Sequence, residues 1–265
     1  AGGSSRRGSI KEEGVINSMT EAFRKDTTRT IRKTLNRFCS ILLIVALGVG
    51  FFAGVRATGN DMRDTASDYY TEYNSMDVKL LSSLGFSEKD VAAVQAVSGV
   101  KQVYAGKFVD CLTLCHDNFL TRVFSLPQHP DSPETMNRLR VLEGRLPEAA
   151  DECAIDQNVT DKYGFRVGQT LTLSPADPLD DLENDLENTV YTIVGMVNSP
   201  MYVDMPRRGS TTVGDGSLDA YIYVPEENFT AEYYTELYVT AEGSDALNCY
   251  TDEYDGLAKA LKAAL

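Results

Sequence analysis

Phe38-Cys-Ser-Ile-Leu-Leu-Ile-Val-Ala-Leu-Gly-Val-Gly-Phe-Phe-Ala-Gly-Val55 is a stretch of eighteen residues with no charge and one hydroxyl, that of Ser40. As a helix it is about 27 Å long at ~1.5 Å per residue. A bilayer core is ~30 Å thick, so with its flanking residues the segment spans it. A soluble helix rarely stays apolar on every side for that length. A cleaved signal peptide is the other alternative, because Ala53-Gly-Val-Arg-Ala57 offers small residues to a peptidase. A signal peptide, however, has a short charged start and an apolar run of about 7–15 residues, whereas 37 residues precede this longer one. The segment is read as an anchor, with the transmembrane helix over 38–58. Gly48, Gly50 and Gly54 would weaken a helix in water, but in lipid they let a neighbouring helix come close.

Charge divides around this segment. Residues 1–37 carry nine basic and four acidic side chains, a net +5, so the remaining 228 residues carry −19 for the chain to total −14. The basic residues cluster from Arg24 to Arg37, with Arg6 and Arg7 further out, and only Arg56 and Arg63 closely follow the span. Positive-inside logic puts the N-terminus in the cytoplasm and residues 59–265 outside. Phe23, Ile31, Leu35 and Phe38 recur among the lysines and arginines of Ser18–Arg37, the pattern of an amphipathic helix on the inner membrane surface. A plain topogenic basic tail is the simpler alternative. The first dozen residues are low-complexity. An acidic total argues against nucleic acid as a partner.

The chain's 265 residues, 43% of them hydrophobic, leave room for a real core beyond the anchor. Gly59–Asn74 continues helically as a stalk, with Met62, Ala66, Tyr69, Tyr70 and Tyr73 at three- and four-residue spacing. Asp77–Leu81 reads as a strand, and Ser87 caps a helix that Gly99 ends. Val100–Cys115 and Phe119–Leu126 alternate as two strands across the His116-Asp-Asn118 turn. Thr235–Ala241 is a strand, and Tyr250–Leu265 a closing helix. Residues about 138–225 have their own texture: strands over Glu152–Asp156, Val167–Leu173 and Tyr191–Val197, a short helix over Gln157–Tyr163, and an acidic loop. The expected fold class is α+β: one N-terminal transmembrane helix, then a split β-α-β sheet carrying a small β-rich inserted subdomain.

No catalytic constellation emerges, and no cofactor is expected. There is no Walker loop and no Gly-x-Ser-x-Gly elbow. His116 and His129 lack a nucleophile partner. Cys111, Cys115 and His116 do not have a recognised zinc spacing, and cysteine at core strand positions is common. Four cysteines beyond the span (Cys111, Cys115, Cys153, Cys249) permit three pairings. Asp177–Glu187 lacks the ordered spacing and central glycine of a calcium loop and reads as solvated. Gly214-Asp-Gly-Ser217 reads as a hairpin loop. The fourteen tyrosines, none before Tyr69, suit core positions.

Phe23-Arg-Lys-Asp-Thr-Thr-Arg-Thr-Ile-Arg-Lys-Thr-Leu-Asn-Arg-Phe38 and the span after it closely resemble the start of FtsX-like ABC transporter permeases. Asp77-Val-Lys-Leu-Leu-Ser-Ser-Leu-Gly85, Leu142-Glu-Gly-Arg-Leu-Pro147 and Ile193-Val-Gly195 fit the same pattern. The resemblance covers about residues 20–245. It implies a cytoplasmic elbow helix, with Phe23, Arg29, Ile31, Arg32 and Leu35 at the coupling surface, and a MacB-type periplasmic core outside. It also implies a separate ATPase subunit and further permease helices or a second permease copy as partners. The outer domain would then relay ATP-driven helix motion into export, extraction or signalling. Family permeases have at least four spans, and no second eighteen-residue apolar run occurs here, so an N-terminal piece of a longer permease is expected. The competing class is a stand-alone single-pass receptor whose outer domain binds a peptide or lipid; a membrane-anchored enzyme is a third.

Overall fold

One α-helix, α1 (Leu35–Glu72), contains the whole apolar run. The computed structural model describes residues 25–30, 32–177, 181–203, 208–214 and 216–265, and the chain divides into two units, residues 1–62 and 63–265. In the first unit, residues 25–30 and 32–33 are helical before α1 begins. The apolar side chains of α1 are exposed on all sides, Leu47 at 77% and Phe51 at 74%. Water would not tolerate that surface, and lipid favours it. Among the described residues α1 is the one helix long and apolar enough to cross a membrane.

The second unit holds two sheets. The smaller is made of β1 (Val78–Phe86), β2 (Val100–Gly106) and β10 (Tyr234–Ala241), in the order β1-β10-β2 and antiparallel throughout. Between β1 and β2 runs α2 (Glu88–Gln95), started by a capping box in which Ser87 and Asp90 bond each other's backbone N–H. The chain ends in α4 (Asp252–Ala264), capped by Thr251. Both helices lie on one face of this sheet, where Val78, Val100, Val239, Ala241 and Leu261 form a core with Val94 and Leu257. Because side chains alternate along a strand, the opposite face of β10 presents Glu236, Tyr238 and Thr240, all buried.

The larger sheet contains β3 (Phe108–Thr113), β4 (Phe119–Leu126), β5 (Arg140–Gly144), β6 (Glu152–Asp156), β7 (Thr170–Pro175), β8 (Val190–Asn198) and β9 (Ala220–Pro225). Strand β8 pairs with β6 along one edge; along the other it pairs with β7 through its first half and β5 through its second. The circuit β8-β6-β9-β4-β3-β7 therefore returns to β8, a closed six-stranded ring with β5 as an appended edge. Closure removes sheet edges that would invite aggregation. Cys111, Val123, Ile155, Leu171, Ile193 and Ile222 are fully buried in its core. The helix α3 (Gln157–Tyr163) contributes Val159 to that core and ends on Gly164 in the left-handed conformation.

The mixed α/β architecture follows the expectation, with three local differences. The stretch from Val100 to Cys115 is two strands in two sheets, because Lys107 interrupts it and donates its N–H to Ser125 Oγ at 2.9 Å. The acidic loop is not wholly solvated, since Leu182 and Leu186 turn into the barrel core. Ala220-Tyr-Ile-Tyr-Val-Pro225 is an additional strand, buried on both faces and so without alternation.

Two sequence patterns named above meet in the fold. Gly144 of Leu142–Pro147 pairs with Gly195 of Ile193–Gly195. Gly144 has φ +74°, and a Cβ there would run into the Val194 carbonyl oxygen; one on Gly195 would run into that of Arg145. Arg145 forks onto the Glu152 carboxylate at 2.7 and 2.5 Å, and the same carboxylate accepts from the N–H groups of Glu148 and Ala149. These residues fix the approach of β5 to the barrel.

Candidate functional site

The end of α1 and the connector to β1 are held from several directions within the second unit. Ser67, buried, accepts the Cys249 N–H at 3.1 Å, and Asp64 accepts from Asn248 Nδ2 at 2.8 Å. Arg138 donates to the Glu72 carbonyl at 2.9 Å and stacks over Tyr73. Two asparagines then clasp one another. Asn74 (φ +47°) and Asn137 (φ +53°) occupy the left-handed region, which asparagine tolerates better than other side chains. The Asn137 N–H donates to the Asn74 carbonyl at 2.9 Å, the Asn137 Oδ1 accepts the Met76 N–H at 3.0 Å, and Asn74 Nδ2 reaches the Glu134 carbonyl at 2.9 Å. Asp77 extends the attachment: it accepts from Tyr254 on α4 at 2.5 Å and from the Ala241 N–H at 2.7 Å. Helix end, barrel-side loop, central strand and final helix thus meet in one polar joint.

Beside the joint lies a cavity of 280 Å³. Its wall includes Ser75, Asn137 and Thr240, and in each the side chain keeps a buried polar atom without a hydrogen-bond partner: Ser75 Oγ, Asn137 Nδ2 and Thr240 Oγ1.

Charged pairs brace the rest of the unit. Asp156, the N-cap of α3, receives Arg208 through Nε at 2.5 Å and Nη2 at 3.0 Å, both residues being buried. Arg122 makes a bidentate pair with Asp110 on the adjacent strand at 2.6 and 2.7 Å, and its guanidinium lies over Phe108. Glu236, fully buried, is paired with Lys79 and receives the Tyr238 hydroxyl. Burial raises the Tyr238 phenol well above its ordinary range, because its ionised form would lose hydration. Among the described residues no group of three or more His, Cys, Asp or Glu is placed to hold a metal ion. His116 and His129 are exposed, and Cys111 and Cys153 are free and buried, burial pushing both thiols upward and making them poor nucleophiles.

Of the elbow residues, Phe23 and Ile31 lie outside the described residues, as do residues 1–24 generally. Arg29 and Arg32 are helical and exposed, and Leu35 opens α1. Gly50 and Gly54 are one helical turn apart on one face, and a Cβ at either, or at Gly48, would meet nothing within 4 Å. Asn74, Ser75, Asn137 and Thr240 carry no sequence signal beyond the helix-ending habit of Asn74, because their roles depend on segments brought together from sixty to one hundred and sixty-six positions apart.

The MacB-like periplasmic core domain family matches residues 40–251. Similar solved structures include the extracellular domain of the noncanonic ABC-type transporter YknZ from Gram-positive bacteria, 16% identical with a TM-score of 0.36 over 69% of this chain and 88% of that one. Another is the periplasmic region of MacB from Actinobacillus actinomycetemcomitans, 12% identical with a TM-score of 0.36 over 69% and 75%. No curated protein matches the sequence.

Proposed function

The chain belongs to the MacB-like periplasmic core domain family, the extracytoplasmic portion of ABC transporter permeases, and on that premise we propose that it is the N-terminal part of a permease whose outer domain is a mechanical relay. A separate ATPase subunit moves the permease helices from the cytoplasmic side, and the second unit carries that movement outward into export, extraction or signalling. The observation that supports this is α1: one uninterrupted 38-residue helix contains the apolar span and ends in the polar joint. A helix is stiff along its axis, so displacement at one end appears at the other.

The N-terminus lies in the cytoplasm in this reading, where Arg29, Arg32 and Leu35, with Phe23 and Ile31, form an elbow at the membrane surface near the ATPase. Gly50 and Gly54 form a small-xxx-small face for a neighbouring permease helix or a second copy, with Gly48 beside it. The test is the double variant Arg29→Glu/Arg32→Glu in the assembled transporter. The expected result is impaired membrane topology or partner-stimulated ATPase activity reduced at least several-fold. Unchanged stimulation with unchanged topology would remove the elbow from the coupling route.

A further inference from the structure

The smaller sheet ends on an open rim. In the order β1-β10-β2, strand β2 has β10 on one side and no further strand on the other. The direction of its backbone groups follows from two hydrogen bonds. Val239 of β10 turns its carbonyl toward the β1 side, where it accepts the Asp77 N–H at 3.0 Å. Its partner in β2, Val103, donates its N–H away from β10, to Gln95 Oε1 at 3.0 Å. Backbone groups alternate sides along an antiparallel pair, so Ala105, paired with Leu237, also directs its N–H and carbonyl outward. The exposed amide of Gln95 stands in for a missing strand at Val103. Among the described residues nothing does so at Ala105, which is half-buried.

A groove of about 400 Å³ lies at this rim, lined by residues 102–105 of β2 and by Pro127, His129 and Thr135 from the loop between β4 and β5. Four residues of strand extend ~13 Å at ~3.3 Å each, enough for a short extended segment to lie alongside. The lining holds two carboxylates, Glu134 and Glu226, and no lysine or arginine. Glu226 has Lys107 at 3.8 Å, and Glu134 has no ion pair among the described residues. Outward N–H and carbonyl groups on a strand invite another strand to pair with them. In that mode main-chain bonds supply the affinity and flanking side chains the selectivity. We infer that the rim of β2 docks an extended, cationic peptide segment of a partner protein, which adds a strand at Ala105 and sets a lysine or arginine against Glu134 and Glu226. The inference goes beyond the relay reading and does not depend on it: peptide binding can fail while ATPase coupling persists, and the reverse.

The test uses the full chain in phosphatidylcholine nanodiscs, whose neutral lipid gives a cationic peptide no surface of its own. The probe is a fluorescein-labelled peptide, Thr-Lys-Val-Lys-Val-Thr, followed by fluorescence anisotropy, with empty nanodiscs and a peptide carrying glutamate in place of lysine as controls. The lysine peptide is expected to bind saturably, and the glutamate peptide more weakly. Ala105→Pro removes an N–H that makes no bond to β10, a change an edge strand accepts, and is expected to weaken binding about 10-fold or more. Glu134→Gln/Glu226→Gln is expected to weaken it about 2- to 10-fold and to flatten its dependence on salt. In the unaltered chain, hydrogen exchange at Ala105 is expected to slow when the lysine peptide is added, a readout that stands even if the proline variant fails to fold. The inference is overturned by binding no greater than to empty nanodiscs, by equal affinity for the glutamate peptide, by undiminished binding to a folded Ala105→Pro chain, or by binding that leaves exchange at Ala105 unchanged.

Discussion

Replacing Asn137 tests whether the joint is held by the paired asparagines. Asn137→Ala removes the acceptor for the Met76 N–H, a 3.0 Å bond made by a side chain that is 9% exposed. A buried donor left without a partner costs about 1–3 kcal/mol. Asn137 also sits at φ +53°, and alanine there adds about 1 kcal/mol of left-handed strain. The sum is about 2–4 kcal/mol, or roughly 4–16 °C in unfolding temperature for a unit of this size. Asn137→Gly loses the same hydrogen bond without the backbone penalty and is expected to cost about 1–3 kcal/mol. The assay is thermal unfolding of the full chain followed by near-ultraviolet circular dichroism of its fourteen tyrosines, with hydrogen exchange at residues 73–77 and 134–138. The expected order of stability is wild type, glycine, then alanine, with faster exchange confined first to those two segments. A glycine variant as damaged as alanine, or exchange unchanged in both, would refute the clasp.

Other parts of the molecule give independent outcomes. Arg208→Met strands the buried Asp156 carboxylate and is expected to lose about 3–5 kcal/mol in chemical denaturation, whereas Asp156→Asn/Arg208→Met together should be milder than the single change. Glu152 has its pKa lowered to about 2 from 4.5, first by the Arg145 hydrogen bond, then aided by the Glu148 and Ala149 N–H groups. A depressed carboxylate stabilises the fold above its unfolded pKa, and the gain is lost as pH falls through the folded value. Unfolding temperature should therefore drop between about pH 4.5 and 2, and Glu152→Gln should flatten that slope; an unaltered slope would contradict the assignment. Gly54→Leu should insert normally yet weaken co-purification with the neighbouring helix or second copy proposed to pack on that face, and undiminished recovery of partners would exclude that face.

The apolar run was legible because eighteen uncharged residues admit few interpretations, and the Ser87–Asp90 cap because its hydrogen bonds are local. Glu152–Asp156 and Gln157–Tyr163 follow for the same reason: a short apolar run between two acidic residues leads into a capped helix with a glycine stop. Barrel closure was not legible, because it depends on β8 pairing with β7 and β5 along one edge. Strand β9 was hidden because burial on both faces erases the period of two. The joint was hidden further still. Asn74 and Asn137 are 63 positions apart, and nothing near either one announces the other. What the sequence pattern Leu142–Pro147 encodes is local geometry, with Gly144 and Arg145 fitting β5 against β8.

In the proposed topology a single helix crosses lipid, with the basic segment inside the cell and the two-sheet unit outside. In intact cells, with Cys115 and Cys249 replaced by serine, a membrane-impermeant maleimide should label Leu84→Cys, a position 92% exposed on β1. It should label Lys25→Cys only after the membrane is opened. Labelling of Lys25→Cys in sealed cells, or protection of Leu84→Cys until lysis, would contradict the account.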